Sequence, residues 1–274
     1  MHSRRAFLKR SAIGAVTAGL LPGTARRLCA SPLGLPVGSQ TYPHRQRIKD
    51  GDFAGLCHDM AELGIGSLEL CSPGYAEFAV LADGKQTRKI LEDRGLKCPS
   101  AHFTLGELRT KQSQAIEWAH DIGMTQMGTA SLNGHVENGI ATMDVVKRAA
   151  EEYNAIGEAA AKAGIQQFLH DERFEMSKVD GRLIYEVLLE LLDPTLVKMQ
   201  FQMSAMPTVG DPKMYFTEYP GRFLSMHLQG VDPNPPAPGA GGQGARGGRG
   251  APGVAVGKDS LDWPAIFAAA KSAA

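Results

Sequence analysis

Residues 143–172 read MDVVKRAAEEYNAIGEAAAKAGIQQFLHDE and carry the signals on which the fold prediction rests. The Ala-rich stretch Met143–Ala163 has the apolar spacing of a helix, and Gly164 is a typical C-terminal stop. Gln166–His170 then reads as a short buried strand. Asp171 and Glu172 follow at once, so ionisable side chains stand where the strand ends. We interpret the stretch as a helix that leads into a strand with chemically active groups at its carboxyl end.

The same alternation of strand and helix extends along the chain in both directions. Strands are predicted at Val37–Tyr42, Ser67–Cys71, Lys97–Phe103, Gln126–Leu132, Gln166–His170, Val197–Met203 and Phe223–Leu228. Helices are predicted at Phe53–Leu63, Ala79–Arg94, Leu105–Ile122, Met143–Ala163, Gly181–Leu192, Pro212–Tyr219 and Trp263–Ala273. Strands joined by helices pair in parallel through crossover connections.

This order predicts an α/β fold, a (β/α) barrel of the TIM type that is incomplete at the C-terminus. Seven βα units are present and an eighth strand is missing. A doubly wound open sheet is the alternative, but no Gly-rich phosphate-binding turn follows any of the predicted strands.

The first thirty residues differ from the rest. They hold six Lys or Arg and no Asp or Glu, with an apolar run from Ala12 to Leu21 that is too short to span a bilayer. The segment Ser3-Arg4-Arg5-Ala6-Phe7-Leu8-Lys9 resembles the twin-arginine export signal. We therefore expect residues 1–30 to be a twin-arginine-type signal peptide and the protein to be periplasmic or otherwise exported. A basic amphipathic or disordered tail is the alternative.

The formal net charge of zero hides an uneven distribution. Residues 31–274, the expected barrel domain, hold 23 basic and 29 acidic groups, a net charge of about −6. A mildly acidic surface repels phosphate backbones, so we expect no nucleic-acid partner. No stable membrane span is expected in the mature chain. Residues 233–252 contain seven Gly and five Pro and are expected to form a flexible insertion within this domain.

Polar side chains at strand ends are the candidate site, because function collects at the carboxyl ends of barrel strands. The second strand offers Glu69, which either orients a substrate hydroxyl or pairs with a loop amide. Two imidazoles, His170 and His227, together with the Glu172 carboxylate, form a donor set for a divalent metal. The candidates for substrate contact are Gln40, His102, Gln202 and Gln229.

Three segments resemble exported members of the sugar phosphate isomerase/epimerase family, which are xylose isomerase-like TIM barrels. They are Asp180-Gly181-Arg182-Leu183-Ile184-Tyr185, Tyr219–His227, and Val256-Gly257-Lys258 with Asp262-Trp263. The resemblance implies a divalent metal, manganese, zinc, magnesium or iron, that holds a sugar while protons move beside its carbonyl. It places metal ligands at His170 and His227, with Glu172 as third ligand or catalytic base and Glu69 as a further catalytic group. The implied partner is a small-molecule carbohydrate, and a homo-oligomer is an option.

The chain also departs from the family pattern. Ser204 stands where an aspartate ligand usually ends the sixth strand, and Gln229-Gly230 replaces a usual Lys-Asp pair. The strand that carries the last glutamate ligand is missing. Three readings follow: a metal-dependent isomerase or epimerase with a depleted metal site, a degenerate barrel that binds a carbohydrate or a partner without turnover, or the product of a truncated gene. An endonuclease role is disfavoured by the acidic surface.

Overall fold

The computed structural model describes residues 34, 37–136, 141–172, 174–203, 205, 210–231 and 254–273. The predicted signal peptide, the predicted insertion at 233–252 and Ser204 lie outside these residues. The predicted flexibility and export therefore stay predictions.

Seven parallel strands form one sheet in the order of the sequence, which confirms the barrel-type fold. The strands are β1 (Gly38–Gln40), β2 (Ser67–Cys71), β3 (Lys97–His102), β4 (Gln126–Thr129), β5 (Gln166–His170), β6 (Val197–Gln202) and β7 (Phe223–His227). Each neighbouring pair is parallel. Within the described part of the chain this sheet has seven strands and no eighth, in agreement with the predicted fold.

Ten α-helices occur among the described residues, and most connect one strand to the next. They are α1 (Arg45–Lys49), α2 (Phe53–Glu62), α3 (Pro73–Ala76), α4 (Gly84–Glu92), α5 (Leu105–Thr110), α6 (Gln112–Ile122), α7 (Met143–Lys162), α8 (Ile184–Leu191), α9 (Pro212–Glu218) and α10 (Trp263–Ser272). None of the helices described is long and apolar enough to cross a membrane.

The predicted helix Leu105–Ile122 is two helices, α5 and α6. Thr104 and Glu107 form a capping box that starts α5, and the chain turns at Lys111, whose φ of −137° is not helical. Periodicity could not show this break, because the apolar positions continue through it.

The predicted helix at Gly181–Leu192 starts three residues later, at Ile184. Asp180 and Gly181 both have positive φ and make the turn of a short antiparallel hairpin, Lys178–Val179 with Arg182–Leu183. Two consecutive residues of positive φ are typical of a tight hairpin turn. Residues 181–183, which the prediction had assigned to the helix, therefore belong to the hairpin.

The core lies between the sheet and the helices that cover it. The largest fully buried side chains there include Tyr153, Tyr185 and Phe201. Cys71 and Cys98 are also buried. The sheet is therefore apolar toward its helices, and its polar side chains are concentrated elsewhere.

Candidate functional site

The strand register places polar side chains from distant parts of the sequence at one end of the sheet. Cys71 is paired with His102, His170 with Gln200, and Gln202 with His227 across adjacent strands. Because the strands are parallel, their carboxyl ends lie at the same edge. The sheet curls enough that side chains of β2 and β7 meet inside it.

The Glu69 carboxylate is at the centre of this group of polar side chains. Its Oε1 lies 2.8 Å from Nε2 of His227 and 3.2 Å from Nε2 of His102. Its Oε2 accepts hydrogen bonds from Ser100 Oγ at 2.8 Å and from Gln200 Nε2 at 2.6 Å. Only 11% of the side chain is exposed. Four donors therefore surround one buried carboxylate, which satisfies the requirement that a buried charge be paired and hydrogen-bonded.

The electrostatics of the cluster follow from these contacts. Burial alone would raise the pKa of Glu69, but His102 and His227 outweigh it and hold that pKa well below its usual range. Burial alone would lower the pKa of His102, yet the Glu69 carboxylate raises it above its ordinary value. The pKa of His170 is well below its ordinary value, because burial and the two other imidazoles disfavour the charged ring.

Three imidazoles form a candidate metal centre. His102, His170 and His227 each offer one ligand atom, and these atoms all lie within 4.8 Å of one another. The ring centroids of His170 and His227 are 4.7 Å apart, and those of His102 and His170 are 5.2 Å apart. Nitrogen ligands bound at about 2.1 Å to a tetrahedral ion would be about 3.4 Å apart, so small side-chain movements would bring them into range.

Glu172, a predicted ligand or base, lies beside this cluster. Its Oε1 is 3.8 Å from Nε2 of His170, and 55% of its side chain is exposed. Its backbone N–H donates to Glu175 Oε2 at 3.0 Å. The structure thus brings Glu172 to the His170 side of the site as an accessible carboxylate, in contrast to the enclosed Glu69.

The predicted substrate contacts differ in their positions. His102 belongs to the histidine cluster itself. Gln202 donates from Nε2 to Oε1 of Gln229 at 3.1 Å, so these two amides pair with each other at the ends of β6 and β7. Gln40 ends β1, where Nε2 donates to Cys71 Sγ and Oε1 accepts from the Tyr42 backbone N–H. These contacts do not join Gln40 to the histidines, and its substrate role stays a prediction.

Sequence reasoning missed Gln200 and Ser100, which donate to Glu69, and Ser225, which accepts from Gln200. Gln200 is 1% exposed in the middle of β6. A signal existed, because a glutamine between Met199 and Phe201 in a buried strand must find polar partners. The two serines had no signal, since a serine hydroxyl is commonly satisfied by nearby backbone.

Buried carboxylates also connect the loops around the site. Glu175 accepts from Ser131 Oγ and from the backbone N–H groups of Leu132 and Glu172, at 2.8 to 3.0 Å. It therefore ties the loop after β4 to the loop after β5. Asp171 Oδ1 accepts from the Gln202 backbone N–H at 2.8 Å and ties β5 to β6.

No family model matches the sequence, and no curated protein matches it. Solved structures do match in fold. A sugar phosphate isomerase/epimerase from Parabacteroides distasonis ATCC 8503 is 23% identical over 70% of this chain and 77% of that chain, with a TM-score of 0.60. The probable 3-DHS dehydratase AsbF from Bacillus anthracis is 13% identical over 87% and 89%, with a TM-score of 0.65. An L-ribulose 3-epimerase is 15% identical over 86% and 77%, with a TM-score of 0.57.

At these identities the likeness shows the fold alone. The neighbours are xylose isomerase-like TIM barrels that include sugar isomerases and epimerases. The chain therefore has the fold predicted from its sequence.

Proposed function

We propose that the chain is an exported, metal-dependent sugar isomerase or epimerase that moves a proton beside the carbonyl of a small carbohydrate. The observation that carries the proposal is the cluster of His102, His170 and His227 around Glu69 at the carboxyl end of a parallel barrel sheet. In barrels of this type the active site occupies that end. The sugar isomerase and epimerase among the fold neighbours support the substrate class.

The side chains present fit a divalent cation that favours nitrogen ligands. His102, His170 and His227 would hold it, with Glu172 as the nearest exposed carboxylate. The Nδ1 atom of His170 is buried without a hydrogen-bond partner, which is unusual for a polar atom and fits a ligand role. Imidazole suits zinc and iron better than manganese or magnesium. A cation held there would polarise the oxygens of a bound sugar.

In this proposal Glu172 is the residue that transfers the proton. A general base needs a pKa near the operating pH and access to the substrate. Glu172 is half exposed beside His170, whereas Glu69 is enclosed and the pKa of its carboxyl is well below the usual range. We assign Glu172 as the base and Glu69 as the carboxylate that orients His102 and His227.

The test measures the exchange of a substrate hydrogen for deuterium from the solvent, so the product need not be known. The full chain, loaded separately with zinc, manganese, iron or magnesium, is incubated in D2O with a panel of pentoses, hexoses and inositol-type substrates. Proton NMR then detects deuterium on the carbon beside the carbonyl. We expect exchange in at least one sugar, with His227→Ala abolishing it. No exchange in any sugar and no stoichiometric metal would contradict the proposal.

His120→Ala is the matched control for this experiment. His120 is exposed on α6, where its Nε2 contacts the Ala163 carbonyl at 3.0 Å, away from the cluster residues. The control should keep the metal content and exchange rate of the wild type. Equal losses in both variants would show that the effect of His227→Ala is not specific to the site.

Export is proposed on the sequence of residues 1–30. A fusion of these residues to a reporter should reach the periplasm of a bacterium with a twin-arginine system. Replacement of both Arg4 and Arg5 by lysine should retain the reporter in the cytoplasm. Export that survives this replacement would contradict the proposed route.

A second candidate function is carbohydrate binding without turnover. The observation that favours it is the Gln202–Gln229 pair, in which Gln229 is a neutral amide at the position where the resemblance implies a lysine. Saturable sugar binding by calorimetry, without deuterium exchange, would support this function over the first.

Self-association is proposed because β1 and β7 end the sheet and have free edges among the described strands. Light scattering coupled to size-exclusion chromatography tests it. A monomer at every concentration would exclude it.

A further inference from the structure

Gln200 makes three hydrogen bonds inside the site through its buried side-chain amide. Its Nε2 lies 2.6 Å from Glu69 Oε2 and 3.0 Å from Ser225 Oγ, and its Oε1 lies 2.7 Å from His102 Nε2. The last contact is shorter than the 3.2 Å between His102 Nε2 and Glu69 Oε1. Gln200 is therefore the nearer acceptor for His102.

The orientation of this amide is dictated by Glu69. An ionised carboxylate only accepts hydrogen bonds, so the group that faces it at 2.6 Å must be the amide NH2. The opposite orientation would place two oxygen acceptors against each other. The NH2 thus faces Glu69, and the amide oxygen faces His102.

The fixed orientation of the Gln200 amide determines which nitrogen of His102 carries a hydrogen. Its Nε2 faces two acceptors, the Gln200 amide oxygen and the Glu69 carboxylate. A nitrogen that faces two acceptors must carry the hydrogen. Nε2 of His227 faces the Glu69 carboxylate and by the same rule also carries a hydrogen, but among the described hydrogen bonds it has no amide partner comparable to Gln200.

We propose that Gln200 is a positioning residue that holds His102 with a proton on Nε2. A neutral His102 then has its lone pair only on Nδ1. What His102 does with Nδ1 rests on the proposed function, whereas the proton position does not.

The packing of the ring supports a fixed orientation. The centroid of His102 lies 5.6 Å from that of Phe168 and 6.2 Å from that of Tyr75, and the residue is 3% exposed. A ring enclosed in this way cannot exchange its two nitrogens by rotating freely. One stable tautomer toward Gln200 is the expected state.

Nitrogen-15 NMR of the full chain, labelled at histidine and treated with a chelator, tests the inference directly. The His102 signals are assigned by their loss in His102→Asn. We expect Nε2 to have the chemical shift of a protonated nitrogen, with its hydrogen visible as a downfield resonance. An unprotonated Nε2 would overturn the proposal.

Gln200→Met tests the role of the amide, because methionine has a similar volume and no such acceptor. The downfield hydrogen of His102 should move upfield or be lost through faster exchange with water. Gln167→Met is the matched control, since Gln167 is also fully buried but donates to Tyr153 Oη on β5's helix-covered side. An unchanged resonance in Gln200→Met would overturn the assignment of Gln200 as the partner.

A milder variant covers the case in which Gln200→Met does not fold. Ser225→Ala removes one of the two acceptors that orient the Gln200 NH2. We expect a smaller shift of the same His102 hydrogen, and no shift would again count against the proposal. These measurements use no sugar. The inference about His102 can therefore fail while the proposed function holds, and the proposed function can fail while the inference holds.

Discussion

Glu69 Oε1 lies 2.8 Å from His227 Nε2, although the two residues are 158 positions apart in sequence. The contact joins the second strand of the sheet to the seventh, across the interior of the curled sheet. One carboxylate thereby links an early strand and the last described strand of the sheet at the candidate site. This arrangement makes the charge of Glu69 a determinant of both stability and histidine protonation.

Removing that charge should lower the pKa of His102 and destabilise the fold. Glu69→Gln keeps the size of the side chain, but it takes away the group that raises the pKa of His102. It also places a second amide against the donors of Gln200. We expect the free energy of unfolding to fall by about 2 kcal/mol, the usual range for a hydrogen bond to a charged group. Urea unfolding and NMR titration of His102 measure the two effects.

Glu158→Gln is the matched control, because Glu158 is an exposed residue of α7 that pairs with Lys162 at 2.8 Å. An exposed pair of this kind contributes less than about 1 kcal/mol. If both variants lose equal stability, or if His102 titrates unchanged in Glu69→Gln, the central role of Glu69 is wrong.

The stability of the fold should decline as pH rises through the neutral range because of Asp171. Burial raises the pKa of this carboxyl to about 8, against the Gln202 backbone N–H that lowers it. The folded state therefore keeps a proton that the unfolded chain releases near pH 4, so the contribution is full below about pH 4 and lost as pH approaches 8. The slope is at most about 1.4 kcal/mol per pH unit.

Asp171→Asn should remove this dependence, since asparagine can still accept from Gln202 without ionising. We expect the melting temperature of the variant, relative to wild type, to be higher at pH 8.5 than at pH 5, in chelator throughout. A constant difference at the two pH values would show that Asp171 does not ionise in the folded protein.

Loss of the Glu175 carboxylate should loosen two loops at once. Glu175→Ala leaves Ser131 Oγ and the N–H groups of Leu132 and Glu172 without their acceptor. Unsatisfied buried donors cost about 1–3 kcal/mol each, although water entering the space will recover part of it. Hydrogen exchange at Leu132 and Glu172 should accelerate in the variant. Ser131→Ala, which removes one donor and leaves the carboxylate, should accelerate neither amide to the same degree.

The sequence predicted the sheet well because each strand is a short apolar run bounded by turn residues. Ser67–Cys71 and Gln166–His170 have the predicted bounds, and Gly164 ends the preceding helix region with a φ of 73°. Helix starts were harder. The break at Lys111 depends on one non-helical residue and the start at Ile184 on a hairpin turn, and local apolar periodicity encodes neither.

The sequence predicted only those site residues whose position in a strand identifies them. His170 and His227 stand at strand ends, where the position alone identifies them. The assignment of Glu69 to the histidines required the curl of the sheet, because β2 and β7 are remote in the sheet order. Gln200 lies inside its strand and not at the end. Its role depends on its hydrogen-bond partners, which come from three other strands, so the local sequence could not reveal it.

The close approach of β4 and β5 should make Gly128 intolerant of any side chain. A Cβ at Gly128 would lie 2.3 Å from the Phe168 carbonyl oxygen and 2.5 Å from the Phe168 ring, and neither can move without disturbing the sheet. Overpacking a well-packed core costs about 1–3 kcal/mol or more, so Gly128→Ala should lower the melting temperature markedly and reduce soluble yield. Gly66→Ala is the matched control, because nothing lies within 4 Å of a Cβ at that position. Thermal unfolding by circular dichroism compares the two. A Gly128→Ala protein as stable as Gly66→Ala would mean that the strands are not packed this closely, and that Phe168 does not support the His102 ring as described.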